Sequence, residues 1–294
     1  MAPDLKLHFL ILAAALYLVA TPIGNLEDIT LRALRILREE VDVIACEDTR
    51  QTQKLLTHYE IRKPLISYHE HNEAGRTGEI LERLGRGESV ALVSDAGTPL
   101  ISDPGYRVVR AALASGFSVV PIPGPSAVLA ALSASGLPMD EFRFIGFLPA
   151  KATARRSVLE GVARNSGTVI AYESPHRILE SLADISQILG ERQIVLAREL
   201  TKIHEEFLRG TPDEIRSQLS KRESIKGEIT LLIAQSEEKD QIEDPLAEIS
   251  RLEGAGFDRM EAIKNVAKRM GLPKREIYRL VAAPDSNRPG KHRG

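Results

Sequence analysis

Residues 94–105 have the composition of a ligand-binding loop. They follow a short apolar run at 90–94 and contain two aspartates, two prolines and two glycines. Proline fixes one backbone dihedral and glycine permits conformations closed to other residues, so the loop follows a fixed, irregular path. A purely structural turn rarely needs so many such residues beside carboxylates. We therefore expect this loop to bind a ligand.

Two other turn-rich segments belong to the same kind of site. Residues 21–28 follow the first apolar run, and residues 121–127 join two regions of different pattern, with Ser126 placed to cap a helix. Ligands of open α/β sheets bind beyond the C-terminal strand ends, and domain junctions are common pocket sites. An ordinary turn and a plain linker remain the alternatives. Neither a G-x-G-x-x-G nor a G-x-x-x-x-G-K-[ST] motif is present, which disfavours dinucleotide binding and P-loop chemistry.

Four polar clusters follow other apolar runs, at residues 47–50, 69–71, 173–177 and 198–204. The first cluster lies at the same sheet edge as the two loops above. His176 and Arg177 lie at a helix start, where they either hold an anion or form a solvated cap. We expect His69 and His71 to be hydrogen-bonded loop residues, because neither a cysteine nor a third ligand lies at metal spacing. The sequence therefore predicts no metal site.

The elements that carry these residues alternate between strand and helix. The apolar runs of the first half lie at 16–20, 41–46, 64–68, 90–94 and 118–121. The segments between them are amphipathic, and Asp28 is placed to cap a helix over 29–37. This alternation predicts a parallel sheet covered by helices. Later runs at 142–147, 168–172, 194–197 and 229–234, with a helix over about 177–189, predict a second α/β domain.

The charge pattern divides the rest of the chain. Ten basic and four acidic residues lie between 254 and 294, a net charge of +6, whereas the whole chain carries −2. Two short helices flank 271–273, as in helix-turn-helix modules. The expected organisation is an N-terminal extension at 1–15, α/β domains at 16–122 and 123–235, an acidic linker and helix at 236–253, a basic helical module at 254–283 and a disordered tail at 284–294.

Composition excludes several classes of protein. With 294 residues, of which 43% are hydrophobic and 27% charged, the chain is long and apolar enough for two cores. Cys46 is the single cysteine, which excludes an internal disulfide framework and a thiolate zinc site and fits a reducing compartment. The uncharged stretch at 9–20 is too short to span a membrane. We therefore expect a cytoplasmic protein without a membrane segment.

Five of these segments, taken in order, carry a family resemblance. They are A-T-P-I-G-N-L-E-D-I-T (20–30), C-E-D-T-R (46–50), V-S-D-A-G-T-P-L-I-S-D-P-G (93–105), P-G-P-S-A (123–127) and Y-E-S-P-H-R (172–177). The chain resembles the bacterial 16S ribosomal RNA cytidine 2′-O-methyltransferases, a family within the tetrapyrrole-methylase fold. The resemblance extends from about residue 16 to 281, and five motifs in register make it specific. Residues 1–15 precede the usual family start.

The resemblance implies an α/β fold of two domains with S-adenosylmethionine in the cleft between them, a small C-terminal helical module and a homodimer. The implied substrate is a cytidine in the decoding region of 16S rRNA within the 30S subunit. In porphyrin-modifying relatives the cofactor loop reads G-D-P, whereas Gly97, Thr98 and Pro99 stand here. The implied cofactor-binding residues are Thr21, Pro22, Gly24, Asp95, Gly97, Thr98, Ile101, Ser102, Gly124, Ser126 and Ala127.

The implied chemistry assigns roles to the polar clusters. Methyl transfer to a ribose hydroxyl needs in-line positioning and removal of a weakly acidic proton. The candidates for this work are Glu47, Asp48, Glu199 and Lys202, with a structural ion pair between Glu47 and Arg50 as the alternative for Glu47. The candidates for substrate binding are Arg50, Glu173, His176, Arg177, Lys264, Lys268, Lys274, Arg275 and Arg279.

Three alternative functions stay open at this point. A corrinoid or porphyrin could be the methyl acceptor, although Thr98 and the basic module disfavour it. The chain could also bind RNA without catalysis. The basic module could serve solubility or dimer formation rather than phosphate binding.

Overall fold

The computed structural model describes residues 14–163, 165–236, 244–270 and 272–282, without the side chains of 268, 269 and 282. Most of the predicted N-terminal extension, the whole predicted tail and the side chain of Lys268 therefore lie outside the described residues. The chain divides into two compact units, Met1–Gln235 and Ser236–Gly294.

The first α/β domain contains a five-stranded parallel sheet in the order β3-β2-β4-β1-β5. Its strands are β1 (Ala15–Val19), β2 (Val43–Cys46), β3 (Leu65–Ser67), β4 (Val90–Val93) and β5 (Ser118–Ile122). Every residue of β2 and β4 is buried, as expected for parallel strands covered on both faces. The predicted alternation of strands and helices is confirmed.

The helices of this domain are α1 (Leu31–Arg35), α2 (Thr49–His58), α3 (Glu73–Gly85) and α4 (Tyr106–Ala114). A short 3-10 turn precedes α1, and a π-helical turn follows it. The predicted cap at Asp28 is wrong, because Asp28 is itself part of the 3-10 turn. The side chain of Thr30 caps α1 instead by accepting a hydrogen bond from the backbone N–H of Ala33 at 3.1 Å.

The register of the sheet brings the ligand-loop segments to one edge. Cys46 pairs with Val93, Val93 with Val19, and Val19 with Ile122. Each is the last residue of its strand: Cys46 of β2, Val93 of β4, Val19 of β1 and Ile122 of β5. The loops that follow all four strands therefore leave the same edge of the sheet, where ligands of parallel α/β sheets bind.

The second α/β domain contains a mixed sheet in the order β6-β7-β10-β8-β9, in which only β6 and β7 are parallel. Its strands are β6 (Phe142–Phe147), β7 (Thr168–Glu173), β8 (Ile194–Arg198), β9 (Glu206–Gly210) and β10 (Ile229–Ile233), and its helices are α5 (Ala127–Ser135), α6 (Ala152–Val162), α7 (Ile178–Leu189) and α8 (Pro212–Ser220). Sequence patterning missed β9. This edge strand carries Glu206 and Arg209, and so has no continuous apolar run.

The two α/β domains share apolar contacts within the first unit. Ile23, from the loop after β1, packs in the cluster formed by α5 and the second sheet, with Val128, Leu132, Val195 and Leu232. Burial of this side chain against the second domain holds the β1 loop over the second sheet.

The second unit contains three helices, α9 (Pro245–Gly254), α10 (Arg259–Met270) and α11 (Lys274–Ala282). Ile249 and Leu252 of α9 pack with residues of α10 and α11, including Ile263 and Ile277. The helix at the end of the expected acidic linker thus belongs to the core of this unit. As expected, Asp258 caps α10, since its side chain accepts hydrogen bonds from the N–H groups at 260 and 261. None of the described helices is long and apolar enough to cross a membrane.

Candidate active site

A β-bridge joins the loops that follow β1 and β4. The backbone N–H of Thr21 donates to the carbonyl of Gly97, and the N–H of Gly97 donates to the carbonyl of Thr21, each at 2.9 Å. The Thr21 hydroxyl also donates to the carbonyl of Ser94 at 3.0 Å. Gly97 has a φ of +82°, a conformation that favours glycine. The two turn-rich loops therefore form one structural unit.

A cavity of about 340 Å³ lies between the two α/β domains. This volume is at the lower end of the range of ligand pockets. The lining residues are Ile23, Ala96, Gly97, Thr98 and Ile101 from the first domain, Ser126 and Ala127 at the start of α5, and Phe147, Tyr172, Glu173, Ser174, Pro175, Gly227, Glu228, Ile229 and Thr230 from the second domain.

Five of the predicted cofactor residues line this cavity: Gly97, Thr98, Ile101, Ser126 and Ala127. Ser126 caps α5, as expected, by accepting from the N–H of Leu129 at 3.4 Å. The hydroxyl of Thr98 donates to the carbonyl of Pro125 at 3.2 Å. That hydrogen bond connects the β4 loop with the segment that joins the two domains.

The other predicted cofactor residues are not among those that line the cavity. Thr21 and Pro22 are buried, and Thr21 forms the bridge described above. A Cβ atom at Gly124 would lie 3.0 Å from the Cβ atom of Ala20, so the chain passes close to the end of β1 there. Gly24 contacts the stem of Lys202, and Ser102 lies near Gly146. Asp95 is exposed and accepts a hydrogen bond from the backbone N–H of Asp48.

Carboxylates gather at the edge of the first sheet. Burial, followed by the negative charges of Asp95 and Glu70, raises the pKa of Glu47. Burial, followed by the charge of Glu47, raises the pKa of Asp103 to about 6. Within the described residues, no hydrogen bond or ion pair to Glu47 is found. Asp103 was not predicted as a site residue, although it is the second aspartate of the 94–105 loop. Glu47 and Asp103 thus hold protons more readily than isolated carboxylates.

Asp48 and Arg50 form an ion pair at the start of α2. The carboxylate of Asp48 accepts from the backbone N–H of Arg50 at 2.8 Å and from its guanidinium at 2.7 and 3.0 Å. These hydrogen bonds lower the pKa of Asp48 to about 2. The alternative ion pair between Glu47 and Arg50 is not formed, because Arg50 binds Asp48 instead. Asp48 therefore stays ionised and is a weak proton acceptor.

Lys202 lies between two carboxylates of the second domain. Its Nζ donates to Glu199 at 2.7 Å and to Glu228 at 2.9 Å. Burial lowers the pKa of Lys202, but the hydrogen bonds to the two carboxylates outweigh it, and the net pKa is raised. The hydrogen bond from Lys202 lowers the pKa of Glu199. Lys202 therefore keeps its proton, and it ties Glu228, which lines the cavity, to Glu199.

Glu173 and Arg177 hold the turn after β7. The buried Glu173 carboxylate accepts from Arg177 Nη2 at 2.7 Å, from the backbone N–H of Ser174 at 2.6 Å and from the hydroxyl of Ser181. His176 is exposed in the same turn. The predicted cluster at 173–177 thus contains a buried structural ion pair beside one exposed imidazole.

An aromatic wall closes the cavity on the side of the second domain. The ring of Tyr172 packs edge-on against Phe144 and Phe147, with centroid distances of 4.9 and 5.3 Å. Burial, and then the charges of Asp103 and Glu228, raises the pKa of Tyr172 to about 12. Sequence reasoning did not assign Phe147, Tyr172 or Glu228 to the site, although Tyr172 begins the Y-E-S-P-H-R segment.

The remaining predicted residues belong to the second unit or to the loop after β3. Lys264, Lys274, Arg275 and Arg279 are exposed on α10 and α11 in the second unit. No cluster of three potential metal ligands is found in the described part of the chain. His69 shares a hydrogen bond with Asn72 at 3.0 Å, as expected for a loop histidine.

Residues 15–216, more than half of the chain, match the family model of Tetrapyrrole (Corrin/Porphyrin) Methylases. The fold and the interdomain cavity thus define a protein of the tetrapyrrole-methylase class. A crystal structure of uroporphyrin-III-C-methyltransferase from Thermus thermophilus shows the same fold, with a TM-score of 0.53 and 20% identity over 76% of this chain and 94% of that chain.

Two relatives are much more similar in sequence. "Ribosomal RNA small subunit methyltransferase I" of Halalkalibacterium halodurans is 49% identical over 90% of this chain and 93% of its own length. The protein of the same name from Mesorhizobium japonicum is 48% identical over 95% of both chains. The chain therefore belongs to the ribosomal RNA small subunit methyltransferase I family within the tetrapyrrole methylases.

Proposed function

We propose that this protein uses S-adenosylmethionine to methylate the 2′-hydroxyl of a cytidine in the decoding region of 16S rRNA within the 30S subunit. The observation that carries the proposal is the cavity between the two α/β domains, which is lined by the loops that hold the family motifs. The names of the curated relatives support ribosomal RNA as the substrate class.

The residues around the cavity fit this cofactor. Gly97 lines the cavity without a side chain, and a Cβ atom there would lie 3.4 Å from the side chain of Ile23. Thr98 and Ser126 offer hydroxyl and backbone groups, and Glu228 offers a negative charge for a cationic ligand. Aromatic faces also attract cations. We infer that, of the eleven cofactor residues predicted from the sequence, the five that line the cavity contact the cofactor and the other six support the loops that carry them.

When bound, S-adenosylmethionine supplies a methyl group activated by a sulfonium. The acceptor hydroxyl must lose its proton as it reacts, and a carboxylate with a raised pKa is suited to take it. Of the four predicted catalytic residues, Glu47 fits this role best, because it lies in the loop after β2 that the Asp95–Asp48 hydrogen bond ties to the β4 loop, and because burial and the charge of Asp95 raise its pKa. Glu47 itself is exposed and is not among the residues that line the cavity. The charge of Glu47 in turn raises the pKa of Asp103.

The other three predicted catalytic residues have a different role in this proposal. Asp48 is bound by Arg50, and Lys202 is held between Glu199 and Glu228. Because Asp48, Glu199 and Lys202 are each held in an ion pair, we infer that they position the loops and the Glu228 carboxylate and do not transfer the proton. Arg50 and His176 are exposed and available to RNA, while Arg177 and Glu173 shape the turn that carries His176.

We propose that the second unit binds the rRNA backbone. Lys264, Lys274, Arg275 and Arg279 are exposed on helices whose apolar side chains form a separate core. Segregated positive charge of this kind binds phosphate. Lys268 is included on the sequence alone. We further propose that the enzyme acts as a homodimer, as the family resemblance implies, and that it acts in the cytoplasm and without a metal, as the sequence predicts.

The test is incubation of the protein with radiolabelled S-adenosylmethionine and, in parallel, 30S subunits, 50S subunits or a porphyrin. We expect label in the 16S rRNA of the 30S subunits alone. Label in the porphyrin, or in no acceptor, contradicts the proposal. Calorimetry that detects no cofactor binding would favour an RNA-binding protein without catalysis.

A further inference from the structure

Strand β6 is interrupted beside the cavity. Its pairing with β7 shifts register between Phe144 and Phe147, and Gly146 within this step has a φ of +71°. Bulges of this kind turn a side chain away from the regular alternation of the strand and recur next to active sites. Here the step brings Phe147 into the cavity lining, whereas Phe142 at the start of the same strand is not part of it.

Phe147 is the most exposed of the large apolar residues that line the cavity. It is 57% exposed, compared with 9% for Ile23 and 3% for Thr230 in the same cavity. Tyr172 packs against it edge-on at 5.3 Å, which supports the ring from within the second domain. Phe147 therefore offers a flat, supported aromatic surface at the mouth of the cavity rather than in its interior.

The exposed ring fits a flat apolar partner. Phenylalanine has no donor or acceptor of its own, so it selects a ligand by stacking. Ile101, 43% exposed, lines the same cavity from the first domain. The exposed ring of Phe147 is therefore available to the second substrate at the mouth of the cavity.

On the basis of the proposed function, we propose that Phe147 is the stacking platform for the nucleobase of the acceptor nucleoside. Sequence-specific recognition of RNA mostly targets unstacked nucleotides, whose bases proteins hold by stacking on aromatic side chains. Stacking on Phe147 keeps the base at the mouth while its ribose points inward. Because every base has a π-face, this contact holds and orients the base but discriminates little between different bases.

The decisive comparison uses the full-length protein with Phe147→Ala, Phe147→Trp and Phe142→Ala. Loss of one base-aromatic stack lowers kcat/KM for 30S subunits between about 5-fold and about 150-fold. We expect this loss in Phe147→Ala, largely restored activity in Phe147→Trp, and unchanged activity in Phe142→Ala, whose ring is 43% exposed on the same strand. The calorimetric affinity for S-adenosylmethionine should stay within about twofold of the parent in all three.

A second readout does not depend on turnover. Subunits carrying 5-iodocytidine at the acceptor position should crosslink under near-ultraviolet light to the peptide that contains Phe147, and the adduct should disappear in Phe147→Ala.

Four results would overturn the proposal: full activity in Phe147→Ala, an equal loss in Phe142→Ala, a matching loss of cofactor affinity in Phe147→Ala, or an adduct that is absent or maps elsewhere. If the parent itself does not methylate 30S subunits, the proposed function fails first.

Discussion

The carboxylate of Asp95 accepts a hydrogen bond from the backbone N–H of Asp48 at 3.1 Å. This bond joins the loop after β4, which lines the cavity, to the loop after β2, which carries Glu47. Asp48 in turn caps α2 and binds Arg50. The cofactor loop and the carboxylates at the sheet edge are therefore held in one fixed arrangement.

Asp95→Asn should shift the acid limb of the pH–rate profile. The negative charge of Asp95 raises the pKa of both Glu47 and Asp103. The amide keeps an oxygen that can accept from the N–H of Asp48 but removes the charge, so both pKa values fall and activity persists to lower pH. The measurement is kcat/KM for 30S subunits from pH 5 to 8. An acid limb that does not move, or that moves to higher pH, would show that Asp95 does not act on the group that titrates.

Asp103→Asn should stabilise the protein above pH 6. The pKa of Asp103 is raised to about 6 in the folded protein from an ordinary value of 3.8. The folded state therefore binds more protons than the unfolded state between these values, and stability falls as pH rises through them. Removing this charge should raise Tm at pH 7 by on the order of 2 °C and leave it unchanged near pH 3.

The matched control for that prediction is Asp48→Asn. The pKa of Asp48 is lowered to about 2 by Arg50, so its charge stabilises the folded state above the ordinary pKa and ceases to do so as pH falls toward 2. Tm at pH 7 should therefore fall in this variant. If Tm at pH 7 changes in the same direction in both variants, the environments assigned to Asp103 and Asp48 are wrong.

Gly97→Leu should abolish cofactor binding. A side chain at this position would begin 3.4 Å from Ile23 and extend into the cavity lining. Gly116→Leu is the control, since φ is +79° there and +82° at Gly97, while no atom lies within 4 Å of a Cβ at 116. Both variants carry a left-handed backbone cost of about 1–2 kcal/mol, but only Gly97→Leu fills the cavity. Calorimetric binding by Gly97→Leu that equals that of Gly116→Leu would place the cofactor elsewhere.

Lys202→Met should lower turnover. The methionine keeps the apolar stem beside Gly24 but leaves the Glu199 and Glu228 carboxylates without their shared ammonium. Hydrogen bonds to charged groups contribute about 1.5–3 kcal/mol, so kcat should fall by about 10- to 150-fold if the position of Glu228 matters. Lys226→Met removes a nearby exposed lysine and should leave kcat unchanged. Equal kcat values for the two variants would remove Lys202 from the site.

Truncation after Gln235 should separate cofactor binding from RNA binding. A cut after Ser250 would divide α9, whose Ile249 and Leu252 belong to the three-helix core, so the boundary at 235 is the better choice. The shortened protein should keep its affinity for S-adenosylmethionine, bind 30S subunits more weakly and show a smaller salt dependence. Unchanged binding across a salt series would assign the second unit to another role.

The sequence predicts those parts of the fold that depend on local pattern. β2 and β4 are buried on both faces and are therefore continuous apolar runs, and Ser126 and Asp258 are recognisable caps. β9 escapes prediction because it is an edge strand with charged side chains. The N-cap at Thr30 is not predicted, because the expected cap, Asp28, lies within a 3-10 turn.

The candidate site is predictable only where a motif carries it. Gly97, Thr98 and Ser126 lie in recognisable turns and line the cavity. Phe147 enters through a bulge whose position depends on pairing with β7, and Glu228 meets Lys202 because β8 pairs with β10. Such long-range pairings are not visible in local spacing.

Nucleoside analysis of the methylated product tests the central claim most directly. 30S subunits would be labelled by the protein with radioactive S-adenosylmethionine, the decoding-region fragment of 16S rRNA isolated and digested to nucleosides, and the label identified by chromatography and mass spectrometry. We expect label in 2′-O-methylcytidine from that fragment. Label in a base-methylated nucleoside, or in a fragment outside the decoding region, would contradict it.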